Sequence, residues 1–450
     1  MGAMQDLSTH TPPAPSFAQA LRFWMQLGFV SFGGPAGQIA LMHQELVDRR
    51  RWISEKRFLH ALNYCMVLPG PEAQQLATYI GWLMHGVRGG IAAGALFVLP
   101  SLFILIALSV IYVSYGTAPV VVGVLWAIKP AVVAVVLFAA WRIGSKTLKN
   151  AALCFIAAAS FIAIFFFKLP FPLIVLVAGC VGAVGHRWAP QWFQTSSRHA
   201  SKAVEVAPLA VIDDATPTPA HARFSRARLL RLAVIGVLLW LASAGALVAA
   251  FGVQGVLPQM AWFFTKAALL TFGGAYAVLP YVFQGAVTEY GWLSAPQMMD
   301  GLALGETTPG PLIMVVAFVG FLGGWKLPMF GPDHLLWAGV AAACVVTFFT
   351  FLPSFLFILI GGPVIEATHG DLHFTAPLTA ITAAVVGVIL NLALFFAFHA
   401  LWPAGWDRPW DAAAALIAVV AAVALIRFKL SVIRLIACCA VLGAVKAVFL

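Results

Sequence analysis

The chain has 450 residues, of which 62% are hydrophobic and only 9% charged, with a formal net charge of +10. So few charges cannot cover a water-solvated surface of this size, which excludes an ordinary soluble protein. The positive excess is not a nucleic-acid footprint, because it lies in loops flanking apolar runs, where membrane topology accounts for it. The six cysteines show no paired spacing, and without a CxxC or His/Cys cluster neither a structural metal nor a cofactor is expected.

In chain order, Met1 to Ser16 contains no Lys or Arg and reads as a short disordered lead rather than a secretory signal. The segment 17–47 is long for one helix and is broken in its middle by Phe32-Gly33-Gly34-Pro35. A hairpin is expected there in preference to one kinked crossing. A basic loop follows, with Arg49, Arg50, Arg51, Lys56 and Arg57, and then a second break at Pro69-Gly70-Pro71. Proline lacks a donor and ends a helix, and glycine permits the tight turn. Apolar runs 91–114 and 119–141 are long enough to cross a bilayer and lead to another basic loop with Arg142, Lys146 and Lys149. Basic loops favour the cytoplasmic side. The Pro69 segment must then enter and leave on the same side, as a re-entrant helical hairpin with Pro69-Gly70-Pro71 at its tip. Residues 189–228, rich in Pro, Ser, Thr and Ala, read as a cytoplasmic linker.

The second half repeats the first. Phe32-Gly33-Gly34 recurs as Phe272-Gly273-Gly274, Trp52 as Trp292, and Pro69-Gly70-Pro71 as Pro309-Gly310-Pro311, all at one offset of 240 positions (272 − 32, 292 − 52, 309 − 69). The loop charges are reversed: residues 288–300 carry Glu289 and Asp300 and no Lys or Arg. Two related units with opposite loop charge are the pattern of an inverted repeat. The expected fold is an all-α polytopic membrane protein with two inverted-topology repeats and Gly/Pro-broken or re-entrant helical hairpins. Its parts are an N-terminal repeat at 17–188, the linker at 189–228, an inverting transmembrane helix at 229–251 and a C-terminal repeat at 259–450.

Broken backbone at membrane depth persists only where protein or a wet cavity surrounds it. Each break exposes the N-terminus of a half-helix, with free N–H groups and a partial positive charge. Converging half-helices could therefore hold a small anion without a charged side chain. The expected binding residues are Gly33, Gly34, Pro69, Gly70, Gly273, Gly274, Pro309 and Gly310. The alternative is that these residues only kink packed helices. Lys266 and Arg22 lie inside the apolar motif segments, where a cation faces a cavity or snorkels to the interface. Glu72 and Glu306 flank the proline breaks, as helix caps, gates or proton carriers. Gln38, Gln74 and Thr307 add uncharged polar groups to the same set.

The run Leu68-Pro69-Gly70-Pro71-Glu72-Ala73-Gln74-Gln75-Leu76-Ala77-Thr78-Tyr79-Ile80-Gly81-Trp82 resembles the signature of the chromate ion transporter family. Phe32-Gly33-Gly34-Pro35-Ala36-Gly37-Gln38-Ile39-Ala40 and Leu99-Pro100-Ser101 resemble it too. The likeness covers nearly the whole chain and its long, two-repeat form. It implies a multi-pass exporter of chromate in the bacterial inner membrane that confers chromate resistance, with sulfate as competitor. The second copy departs from the signature, with Leu312 in the place of Glu72 and Met314 in that of Gln74, which implies unequal roles for the two hairpins. The expected partners are a chromate- or sulfate-like oxyanion, the lipid bilayer and, as an option, a second copy of the chain in a homodimer. A transporter of sulfate or another oxyanion is the alternative. A membrane enzyme is disfavoured, since the acidic residues are sparse and dispersed.

Overall fold

The structure, a computed structural model, describes residues 12–32, 34–188, 192, 210–213, 216, 219, 221–272, 274–327, 329–368, 375–403, 405 and 409–449. These residues are overwhelmingly helical, and seven of their helices are long and apolar enough to cross a membrane. In the first half α1 spans Phe17–Val30, α2 Gly34–His43 with a π-helical turn Gln44–Arg49, and α3 Glu55–Val67. They are followed by α4 (Glu72–Tyr115), α5 (Pro119–Thr147), α6 (Ala151–Phe165) and α7 (Phe171–Trp188). Helix α8, Arg226–Phe251, joins the halves. The second half contains α9 (Val256–Leu269), α10 (Ala275–Phe283) with a π-helical turn Gln284–Glu289, α11 (Ala295–Thr307) and α12 (Val315–Lys326). It ends with α13 (Leu335–Thr368), α14 (Thr375–Leu401), α15 (Ala412–Ile426) and α16 (Val432–Phe449).

The duplication holds element by element. The π-helical turns and the pairs α3 and α11 stand at the same 240 offset as the motifs. Trp52 packs edge-on against Phe23 with centroids 5.1 Å apart, and Trp292 packs against Phe263 at 5.6 Å. Local sequence sets the helix starts. Ser16 with Gln19 and Ser294 with Gln297 form capping boxes, in which each side chain satisfies a backbone N–H of the other residue.

Each half opens with two helical hairpins. Arg50 stacks over Phe23 at 4.9 Å and Trp52 packs against the same ring, so the chain that leaves the π-helical turn lies back against α1. The hairpin expected there is the observed form. In the next hairpin, Arg57 near the start of α3 and Tyr79 in α4 both donate to Glu366 of α13. Lys326 at the end of α12 likewise reaches back to the carbonyl of Gly291, just before α11, at 2.8 Å.

Helix α4 is itself bent back at His85 and Gly86, whose φ/ψ values are non-helical. The two limbs touch through glycine: a Cβ on Gly89 would lie 2.2 Å from the Gly81 carbonyl oxygen. Helices α12 and α13 repeat this contact, since a Cβ on Gly324 would lie 2.4 Å from the Ala338 carbonyl oxygen. Small residues let helix backbones approach where lipid gives no hydrophobic drive.

The halves interleave. Helix α5 packs on α14, α15 and α16, while α14 packs on α6 and α7. Gly123 of α5 meets Gly443 of α16, and Gly182 of α7 meets Ala376 and Ala380 of α14 in the corresponding place. Part of the expected linker is docked: Ile212 pairs with Ile53 and is buried, as is Ala222. The short run Ala210-Val211-Ile212 supplies the apolar contact within an otherwise polar stretch. Asp300, read in sequence as a loop charge, lies inside α11 and is buried.

Candidate substrate-binding site

The breaks in the two halves meet. The Gly70 N–H donates to the Thr271 carbonyl at 2.7 Å, and the Gly310 N–H donates to the Ser31 carbonyl at 2.8 Å. Thr271 is the counterpart of Ser31 and Gly310 that of Gly70, so the contact is reciprocal about a two-fold axis. Gly70 and Gly310 have φ of +130° and +103°, which only glycine adopts readily.

Beside these joints lies a cavity of about 610 Å³ between the halves. Gly34 and Pro35 at the start of α2 line it, as do Gly274 and Ala275 at the start of α10. Both half-helices thus turn their N-termini, where the first N–H groups lack the usual partner one turn back, to one space. Glu72 at the start of α4 and Glu306 near the end of α11 also line it, together with Arg142 and Lys146 of α5, His43 and Tyr276. Glu306 accepts a hydrogen bond from the Tyr276 hydroxyl. Glu72, Arg142 and Lys146 have no side-chain hydrogen-bond or ion-pair partner among the described residues. His43 is held by Glu55 and Asp48. The space therefore offers two helix N-termini and two free cations to an anion, with two carboxylates opposing it. A cleft of about 830 Å³ between α6 and α7 is walled almost wholly by apolar side chains and offers a charged solute nothing. A more polar cleft of about 770 Å³ lies elsewhere, lined by Tyr112, Gly116, Trp292 and Gln297.

The remaining sequence-based candidates sit around this cavity in different ways. Gly33 and Gly273 lie outside the described residues. The Gln38 amide is buried and donates to the carbonyls of Gly310 and Ser31, at 2.6 and 3.2 Å, which braces one joint. The Pro69 carbonyl accepts from Gln75, and Gln74 donates to Thr78 at 3.0 Å. Thr307 donates to the Leu304 carbonyl, and Pro309 is buried beside the joint. Lys266 points toward Trp262, 5.6 Å from its ring, on a face where Trp262 is exposed, and Arg22 is exposed on α1. Neither lines the cavity. In sequence Arg142 and Lys146 stand out only as loop charges, and Tyr276 does not stand out. The periodic signal for the first two was their i,i+4 spacing, which puts both on one helix face.

Comparison with known proteins adds the family. The family described as chromate transporter matches residues 18–183 and again 258–444. The chain belongs to the chromate transporter family. The chromate transport protein of Pseudomonas aeruginosa is 32% identical over 375 residues, 83% of this chain and 79% of that protein. That of Cupriavidus metallidurans is 28% identical over 356 residues, 79% of this chain and 76% of its own. An uncharacterized transporter of Bacillus subtilis, YwrA, is 32% identical over 120 residues, 27% of this chain and 67% of that protein. No solved structure matches. The family is one of transporters, and the two matched stretches correspond to the two halves that meet at the cavity.

Proposed function

We propose that this protein exports chromate from the cytosol across a bacterial inner membrane, by way of the cavity between two repeats of opposite orientation. The observation that carries the reading is the convergence of two half-helix N-termini, Arg142 and Lys146 on one space between the halves. Donors of this kind recognise charge and tetrahedral shape. Sulfate, a dianion of the same shape, is accordingly the expected competitor. Membership of the chromate transporter family supports chromate as the cargo.

Opposite orientation is supported by the reversed loop charges and by the surroundings of the two tryptophan connectors. The connector at Trp52 lies with the docked linker, since Ser54 donates to the Ile212 carbonyl, and the same linker reaches the His85 bend of α4 through His221. The connector at Trp292 shares a cleft with Tyr112 and Gly116, at the other end of α4. Direction follows from electrostatics: moving two negative charges outward releases roughly 4.6 kcal/mol per 100 mV, inside negative. That corresponds to about three decades of concentration ratio. Export therefore requires no coupling ion, and confers chromate resistance on the cell.

Chromate uptake into everted membrane vesicles clamped at different potentials tests this reading. Flux should rise with interior-positive potential and fall with added sulfate. Flux independent of voltage would replace the uniport by electroneutral exchange.

A further inference from the structure

Buried hydroxyls in this protein are normally satisfied by the carbonyl one helical turn back. Ser109 in α4 donates to Leu105 at 2.6 Å, Thr350 in α13 to Val346 at 2.7 Å, and Thr271 to Ala267 at 2.7 Å. Two serines break the pattern. The hydroxyls of Ser101 and Ser354 are fully buried and have no hydrogen-bond partner among the described residues. An orphaned buried hydroxyl is costly, so a pair of them calls for an explanation.

Their positions are equivalent. Each follows a proline inside a long crossing helix, Pro100 in α4 and Pro353 in α13. Each abuts the tip glycine of the other half's hairpin. A Cβ on Gly70 would lie 2.4 Å from the Ser354 Oγ, and one on Gly310 would lie 2.8 Å from the Ser101 Cβ and 3.3 Å from its Oγ. Gly70 and Gly310 are the residues whose N–H groups close the two joints on Thr271 and Ser31. The Gln75 and Gln38 amides, whose NH₂ groups bind Pro69 and Gly310, each end there in an unpartnered Oε1. Rotation of either amide would present a donor in its place.

We propose that Ser101 and Ser354 are substrate-binding residues at the centre of the transport path, paired with the N–H groups of Gly310 and Gly70. In the closed form the tips are joined to each other and the hydroxyls are idle. When the joints part, two O–H and two N–H donors are freed in a two-fold arrangement, one hydroxyl and one amide from each side. A tetrahedral dianion has the acceptors to take all four. Such a set distinguishes an oxyanion from a halide, which lacks the spread of acceptor oxygens. This inference rests on the oxyanion reading of the neighbouring cavity and extends it to the barrier beyond.

The test uses the full-length protein reconstituted in vesicles, as Ser101→Ala, Ser354→Ala, the double variant and Thr350→Ala. Each serine variant should raise the KM for chromate about tenfold, the loss of roughly 1.4 kcal/mol, and weaken inhibition by sulfate in parallel. Thr350→Ala, which removes a hydroxyl already satisfied, should leave KM unchanged. Without anion, the serine variants should unfold at the same temperature as the parent or higher, because an unpaired buried hydroxyl has been removed. A double variant with parental KM overturns the proposal, and so does a lowered unfolding temperature, which marks the hydroxyls as structural. If the parent protein carries neither chromate nor sulfate, the oxyanion reading itself falls and this inference with it.

Discussion

Arg142 and Glu72, a basic and an acidic side chain, face the same cavity. Neither has a side-chain partner among the described residues, so changing either alters the field in the cavity without breaking a contact. Arg142→Gln should raise the KM for chromate about tenfold, and Glu72→Gln should lower it about fivefold, on the scale of roughly 1 kcal/mol per nearby charge. Initial rates of chromate uptake in everted vesicles check both signs. Lys129 and Asp300 make a different use of charge. Their atoms are 3.6 Å apart, Asp300 is buried, and Tyr112 donates to its second oxygen at 2.9 Å. The pair joins α5 of one half to α11 of the other. Lys129→Met alone strands a buried carboxylate and should destabilise by about 3–5 kcal/mol, while Lys129→Met with Asp300→Leu should recover most of that loss. Thermal unfolding of the purified variants reads the difference. In sequence Asp300 reads only as a loop charge, and nothing local indicates that it meets Lys129, so far away in the chain. Glu72 was legible because it adjoins a break. Arg142 was legible only as a topological marker, because what puts it in the cavity is the approach of α2 and α10 from elsewhere in the chain.

At the level of elements, the breaks matter more than the helices. Helices α3 and α11 stop just before Pro69 and Pro309, α2 starts at Gly34 and α10 directly after Gly274, and backbone groups freed at the breaks pair across the two halves. The Gly310 joint has no room for a side chain, since an added Cβ would lie 2.8 Å from the Ser101 Cβ in a backbone conformation with φ of +103°. Gly310→Ala should therefore destabilise by about 1–3 kcal/mol from backbone strain alone, and the collision with Ser101 adds to it. A lowered unfolding temperature together with reduced chromate flux is the expected result. The hairpins could be read from the sequence because their signals are local: a breaker in the middle of an apolar run and loop charges on each side. The bend of α4 at His85 and Gly86 could not. The glycines that allow its limbs to touch, Gly81 and Gly89, look like ordinary membrane-helix glycines until the antiparallel contact is seen.

For the whole molecule, the governing feature is the relation between the halves. Reciprocal joints at Gly70 and Gly310, and reciprocal close approaches at Gly123–Gly443 and Gly182–Ala380, follow one two-fold pattern. If that axis lies in the membrane plane, Arg51→Cys and Gly291→Cys should be labelled by an impermeant thiol reagent from opposite faces of the bilayer. Intact cells should label the second and everted vesicles the first. Labelling of both from one face sinks the opposite orientation. The sequence by itself determined that the chain is a helical membrane protein, that it is duplicated at a fixed interval, and where its helices break. Those properties follow from hydropathy, proline and glycine chemistry and repetition, all of which act within a short stretch of chain. Only the tertiary structure decided which breaks face one another, that Arg142 and Lys146 share a cavity with Glu72 and Glu306, and that Lys266 and Arg22 stand outside it. A cation's neighbours in a folded bundle depend on the rotation and crossing of helices remote in sequence, and no local pattern encodes that.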